Sequence, residues 1–577
     1  MKNIFRYILI AGTISVIAFS SCVKKLDEAY PNPNASVRQP VELIFPSMIG
    51  SFVGSSSQAG SAYGLAGDAL LIGRYIQFWG TFSASSSSVS NTVATASNYD
   101  RMAGTVGASD NLGSMWAAHY YGMGQNINRI IEWGTEEQKW DFVGAAWAIR
   151  AWSLLENANE YGEMILRQAF NTSLEQFTYE DQSESYDSIR STCFRALSFL
   201  NMTGGNMNPA NFANSDFYFN GGDLDKWKKF VYGILARSYA YIQHKSINYS
   251  DSVLKYAALS CAANTDNITC KFQATGITGT SNYFGTARGN VNTNTFGIRQ
   301  TSYITDLMNG NNTGAFNGVA DPRRSYLLRE NRLGTYTGLP SPWIGVNSMP
   351  FDEEPQSFVG TYVTYGTGAN AYPAAPANAG GYGTGAEGGR YIFRDAAEWP
   401  IMTASEMQFL IAEAALRKGS NAASLTAYTN AISLNFDMLT SKYNINIPSG
   451  MEITPASKAA YLANPGIVPA SAAGMTLTRI MLQKYIALYA WGVQVTWADM
   501  RRFHYTDIDP QTGAQVYAGF TPPSGTILHS TNNGKLVYRC RPRYNSEYLY
   551  NIPSLSAIGA YPVGNDYHTK ESWFSKP

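Results

Sequence analysis

Apolar residues recur at helical spacing in two blocks of the chain, and the stretches between them lack that rhythm. From about Leu112 to Trp133, and from Glu137 to Leu166, Ala, Leu, Ile and Trp recur three and four residues apart. Trp227, Val231, Ile234, Leu235, Ser238 and Ile242 fall on one face of a further helix. Asp223, just ahead of it, offers an N-cap acceptor. Thr403 to Lys418 and Leu425 to Leu439 predict a helix pair, with Gly419-Ser420-Asn421 as stop and restart. A last helix carries Leu477, Met481, Tyr485 and Leu488 on one face. Paired helices with short turns are the mark of helical repeats, but the period is too degenerate to name the repeat from spacing alone. The helical blocks run from about 111 to 265 and from about 400 to 502. Loop-rich inserts fill about 80–100, 266–399 and 503–577.

Two inserts differ from ordinary connections. Ser83 to Ser97 is rich in Ser, Thr, Ala and Val, and Arg332 to Trp399 in Gly, Pro, Asn and Tyr. A loop that long inside a folded body is either functional or disordered. Tyr336, Trp343, Tyr362, Tyr365, Tyr372, Tyr382 and Tyr391 argue against disorder. Rigid rings on a glycine-rich backbone suit a ligand-facing surface.

The N-terminus decides the compartment. Met1, Lys2, Asn3 and Arg6 make a short positive start, followed by an apolar run from Tyr7 to Phe19 too short to span a bilayer. Ser20 and Ser21 then precede Cys22, so residues 1–21 read as a secretory signal and Cys22 as the lipidated residue of a bacterial lipoprotein. Phe19 stands where Leu or Val is usual, and an ordinary secreted protein is the alternative. No later segment is long and apolar enough to be a transmembrane helix. Residues 22–577 read as a single domain.

Lys plus Arg and Asp plus Glu number 42 each, and removal of Lys2 and Arg6 takes the net charge from 0 to −2. That balance argues against nucleic acid as a partner. Cys261 and Cys270 are close in sequence, and either a disulfide or two thiols is compatible with an oxidising compartment.

Catalytic signals are weak. Gly383-x-Gly385-x-x-Gly388 has the letters of a dinucleotide loop but neither the strand before it nor the helix after it. His119, His244, His504, His529 and His568 show no metal-ligand spacing, and no Gly-x-Ser-x-Gly elbow occurs. Asp507-Ile508-Asp509-Pro510-Gln511-Thr512-Gly513 resembles a calcium loop only faintly: its glycine comes late, and Ala518 replaces the bidentate Glu. A plain turn is the expectation there. No metal or cofactor is implied.

Five ordered segments carry a more specific signal. Lys25-Leu26-Asp27-Glu28 and Pro31-Asn32-Pro33-Asn34-Ala35 follow the cysteine. A helix from Ala145 to Leu155 leads into Tyr161-Gly162-Glu163. Gly222-Asp223-Leu224-Asp225-Lys226-Trp227-Lys228-Lys229-Phe230 precedes a helix with Arg237. Pro400 to Glu406 runs into Phe409-Leu410-Ile411-Ala412-Glu413-Ala414. Ile480 to Tyr489 is followed by Trp497-Ala498-Asp499-Met500-Arg501-Arg502. Together they resemble the SusD/RagB family of nutrient-binding lipoproteins of Bacteroidetes, with Glu163 and Met164 as departures where that family often has Asp and a Val-Pro or Ile-Pro pair.

The resemblance implies a mainly α fold, with tetratricopeptide-like helix pairs supporting an irregular, loop-rich face. It also implies an outer-membrane lipoprotein, lipid-anchored and facing outward, that lids a SusC-like TonB-dependent transporter and traps oligosaccharide or peptide. Lys24, Lys25, Asp27 and Glu28 resemble its surface-export signal. Asp499, Arg501 and Arg502 read as a buried ionic link between helices rather than an anion clamp.

A glycan asks for aromatic faces plus fixed polar groups, and the family tends to place binding residues early and in the mid-chain insert. The expected contacts are therefore Arg74, Trp79, Trp343, Tyr365 and Tyr391. Trp79→Ala is expected to weaken binding by at least about tenfold while leaving the melting temperature nearly unchanged. The chain is not expected to be an enzyme. Three alternatives stay open: a RagB-like oligopeptide lid, a helical-repeat assembly protein, and a surface glycosidase with two carboxylates about 5 to 9.5 Å apart.

Overall fold

Most helices form where the apolar rhythm is strongest and pack on one large core, while Tyr548, Leu555, Ala560 and Tyr567 near the C-terminus form a small second cluster. The structure, a computed structural model, describes residues 38–52, 65–81, 100, 102, 112–274, 281–285, 298–331, 333–340, 349–350, 352–358 and 389–577. Residues 1–21, Cys22, Trp343 and Tyr365 lie outside the described residues.

Two helices precede the first predicted block: α1 (Val41–Phe52) and α2 (Leu65–Tyr75), the latter running into strand β1 (Trp79–Thr81). The expected helix from Leu112 begins with one turn, Ser114–Ala117, and passes through a π-helical segment, Ala118–Met123, before α3 (Gly124–Glu136). α4 (Trp140–Tyr161) is Ala-rich and buried on nearly every side, its polar Glu156, Asn157, Asn159 and Glu160 included. It packs against α5 (Gln182–Leu200), a helix the apolar pattern alone did not predict.

α6 (Leu224–Ala240) starts at the expected cap: Asp223 accepts from the N–H groups of Asp225 and Lys226 at 2.9 and 3.1 Å. It packs on α7 (Ile247–Leu259). Three strands follow: β2 (Ile268–Cys270), β3 (Ile298–Gln300) and, after helix α8 (Ser302–Asn309), β4 (Trp399–Met402). Both sheets are antiparallel pairs, β1 with β3 and β2 with β4.

The second block is the predicted pair α9 (Ala404–Arg417) and α10 (Asn421–Lys442), then α11 (Leu477–Ala487) and α12 (Val493–Arg502). Gly419 has a φ of 72°, the left-handed stop a glycine accepts without strain. α9 packs on α7 and α11, which joins the two blocks. The 503–577 segment is less loop-like than expected, since it holds helix α13 (Tyr544–Tyr550) and a turn of helix at Ile552–Ala557.

The segments that carried the resemblance are the cross-links of this scaffold. Arg237 on α6 donates to Glu406 on α9 from Nε at 2.7 Å and Nη2 at 2.8 Å, and to the Ile401 carbonyl at 2.6 Å. Asp216 accepts from Trp227 Nε1 at 2.8 Å. Arg502 on α12 pairs with Glu413 on α9 and with Asp499, while Arg501 lies over the Trp497 ring at 3.6 Å. The Asp499–Arg502 pair is thus a buried ionic link. Cys193, Cys261, Cys270 and Cys540 are buried free thiols, so Cys261 and Cys270 are not bridged. Asp509 accepts from Thr478 and Gln511 and closes a turn. No helix among the described residues is long and apolar enough to cross a membrane.

Candidate ligand-binding site

The short β1–β3 pairing brings the early segment to the middle of the chain. Trp79 pairs with Gln300, so Gln77, two residues before β1, meets Thr301 and Ser302, the residues that open α8. The Thr301 hydroxyl donates to the Gln77 carbonyl. Gln77 itself holds a left-handed φ of 64°, uncommon for a residue with a long side chain. Its Nε2 donates to the Thr521 carbonyl at 2.5 Å and so fastens the 519–527 loop beside α8.

These three elements enclose an open cleft of about 370 Å³. α8 supplies Ser302, Tyr303 and Asp306, and the chain beyond its Gly310 stop supplies Asn311, Asn312 and Thr313. The far wall is Gly519 and Thr521 to Ser524, with Ile527 and Pro340 adding apolar surface. Asn312 is fixed: it donates to the Ala518 carbonyl at 2.7 Å and accepts from Gly314 and Ala315. Asn311 and Thr313 are exposed at the rim.

Tyr303 has a buried hydroxyl with no hydrogen-bond partner in the protein. Burial pushes its phenol well above the ordinary range, so it stays a donor. Burial likewise raises the Asp306 carboxyl above its usual value. Asp306 is the one acid among the described lining residues. Among the described residues no group of three or more His, Cys, Asp or Glu side chains could hold a metal ion. A concave wall of amides and hydroxyls edged by prolines can read the hydroxyls of a neutral ligand.

Residues 74–523, most of the chain, match the SusD-like family described as "Starch-binding associating with outer membrane". The chain belongs to the SusD-like family.

Solved structures share this SusD-like fold. A SusD/RagB family protein from Bacteroides thetaiotaomicron VPI-5482 has a TM-score of 0.58 and 19% identity, covering 94% of this chain and 99% of that one. A SusD homologue from Parabacteroides distasonis ATCC 8503 has a TM-score of 0.62 and 16% identity, over 93% of this chain and 98% of that one. A chitin-binding SusD homologue from Flavobacterium johnsoniae has a TM-score of 0.60 and 15% identity, over 93% and 98%. Such identities speak for the fold alone. No curated protein matches the sequence.

In this SusD-like chain the described residues expected at the ligand, Arg74, Trp79 and Tyr391, are buried and none lines the cleft. Trp79 has no exposed surface: Nε1 donates to the Leu70 carbonyl at 3.0 Å, and the ring meets Phe284 edge-on at 5.6 Å. A Cβ on Gly73 would stand 2.3 Å from the Trp79 ring, so glycine there is what admits it. The expectation of an unchanged melting temperature for Trp79→Ala is therefore corrected, because the indole fills core. Tyr391 is buried too, with a left-handed φ of 52°, its ring edge-on to Tyr443 and its hydroxyl 3.3 Å from the Tyr489 carbonyl. Arg74 is buried on the last turn of α2. None of the three presents an open face. The polar residues of the cleft were missed from the sequence, although Asn309-Gly310-Asn311-Asn312-Thr313-Gly314 is a run of turn formers and amides right after an amphipathic helix.

Proposed function

We propose that the chain captures neutral oligosaccharide at the cell surface and delivers it to a SusC-like TonB-dependent transporter in the outer membrane, without cleaving it. The observation that carries this reading is the amide- and hydroxyl-lined cleft between Gln77, α8 and the 519–527 loop. The family's starch-binding description and the chitin-binding neighbour favour a glycan over a peptide. In this reading residues 1–21 are removed and acyl chains on Cys22 hold the protein to the outer leaflet, more than one being needed for firm anchoring. Trp343 and Tyr365 are kept as proposed ring contacts, with Arg74, Trp79 and Tyr391 supporting the site from behind.

Calorimetric titration of the chain lacking residues 1–22 with starch and chitin oligosaccharides, alongside a mixed oligopeptide pool, tests the proposal. Saturable glycan binding is expected, and Asn311→Ala combined with Thr313→Ala weakens it about tenfold, roughly 1.4 kcal/mol, without lowering Tm. Saturable binding of peptides and not of glycans would overturn it.

A further inference from the structure

We propose a second sugar-binding subsite in the pocket between the π-helical segment Ala118–Met123, the 165–177 loop and α13; it rests on the glycan reading above. The pocket measures about 330 Å³ and shares no lining residue with the first cleft. Its walls are Tyr120, Tyr121, Phe170 and Phe177, and its floor includes Glu547. π-Helical turns are rare and gather at functional sites. Here the turn carries Tyr120 and Tyr121, both of which line the pocket. Tyr121 is 56% exposed.

The walls are held in place. The Tyr120 hydroxyl donates to the Ile165 carbonyl at 2.8 Å and accepts from the Ile165 N–H at 3.0 Å. Asn551 accepts from the Phe177 N–H at 3.1 Å and donates to its carbonyl at 2.9 Å. Phe170 sits at a left-handed φ of 66°, a costly conformation for a bulky residue that the surrounding fold must impose.

Glu547 decides the ligand. It is 5% exposed, and its Oε2 accepts from Tyr179 at 2.5 Å and from Asn551 at 3.0 Å. Both of these bonds end on Oε2, which leaves Oε1 of this pocket-lining residue without a hydrogen bond of its own. A purely apolar ligand would leave that oxygen dehydrated and unpaired. An anion would meet the carboxylate. A cation would meet two guanidinium groups already on the aromatic walls, Arg543 at 5.6 Å from the Tyr121 ring and Arg150 at 5.7 Å from the Phe170 ring. What remains is a neutral ring with one apolar face and hydroxyl donors on its edge, the chemistry of a pyranose.

The test is saturation-transfer NMR with the methyl glycosides of glucose, galactose and N-acetylglucosamine on the chain lacking residues 1–22. Thr172→Trp fills the pocket from an exposed position, and Tyr121→Ala removes an exposed wall. Both are made in wild type and in the Asn311→Ala/Thr313→Ala background that disables the first cleft. Residual sugar binding is expected in that background, and it falls about tenfold with either pocket variant. Residual binding indifferent to both variants, or no residual binding at all while wild type binds sugar, overturns the second subsite and leaves the first reading standing. Failure of wild type to bind any of these sugars or the oligosaccharides overturns both.

Discussion

Arg502 and Glu413 face each other fork to fork, Nη1 donating to Oε1 at 3.0 Å and Nη2 to Oε2 at 3.1 Å, both side chains buried. Arg502 Nη2 also donates to Asp499 at 2.6 Å, and Lys484 lies 2.7 Å from the other Asp499 oxygen. The pair ties α12 to α9 and so joins segments far apart in the chain. Burial alone would raise the Glu413 carboxyl, but Arg502 and then Arg417 bring it down to about 2.

Removing one partner strands the other. Glu413→Ala is expected to cost about 3–5 kcal/mol of stability, the range for an uncompensated buried charge. The urea midpoint should drop while glycan affinity stays at the wild-type value. The depressed carboxyl contributes stability above the ordinary value of 4.5, and that stability is lost as pH falls toward 2. Glu413→Gln should therefore flatten the acid limb of stability against pH, and an unchanged limb would assign acid unfolding to other groups.

Trp79 makes a second case about the scaffold. Trp79→Ala removes a fully buried indole and should cost about 3–5 kcal/mol, seen as a lower melting temperature. Gly73→Ala should destabilise as well, because its new methyl would stand 2.3 Å from the ring. A Trp79→Ala variant with unchanged Tm and weakened binding would restore the exposed-platform reading.

These two positions show what was legible in the sequence. Local signals carried over well: the Asp223 cap, the Gly419 stop and the faces of α6, α9 and α11 depend on neighbours within a turn or two. Trp79 looked like a surface platform because a polar loop follows it. What buries it includes Phe284, whose approach no local pattern reveals. The cleft is harder still, since Gln77 is fastened to a carbonyl 444 residues away. Tyr120 in the π-helical segment is likewise held by a residue distant in sequence, Ile165. α5 does carry a face of Tyr186, Ile189, Cys193, Ala196 and Leu200, but serines and charges between them hide it.

His504 ties the end of α12 to the C-terminal segment. Its Nδ1 lies 2.8 Å from Asp507 and its Nε2 2.9 Å from Glu571, so both nitrogens must carry protons to make both bonds. Burial opposes that charge, but the two carboxylates outweigh it and raise the imidazole above 6.5. A raised histidine contributes stability fully below its unfolded value and loses it as pH rises through the folded one. Stability should therefore fall as pH rises above the ordinary histidine value of 6.5, and His504→Gln should remove that slope. An NMR titration placing the imidazole below 6.5 would contradict the assignment.

Glu160 is the mirror case, a carboxyl whose proton the fold holds more tightly than usual. Both its oxygens are buried with no donor from the protein. Its neighbour Asp68 already accepts from the N–H groups of Gly113, Ser114 and Met115 and from the Tyr161 hydroxyl, at 3.0 to 3.2 Å. Those four donors serve Asp68, whereas Glu160 receives none from the protein. Burial first, and Asp68 second, push the Glu160 carboxyl well above its usual value. For an acid raised in this way, the cost appears above the unfolded value of 4.5 and grows with pH until the folded value is passed. Glu160→Gln keeps the shape and a donor for Asp68 but cannot ionise. It should match wild type in urea midpoint near pH 4.5 and exceed it progressively toward pH 8. A constant difference between the two proteins across that range would show that Glu160 does not carry the proton.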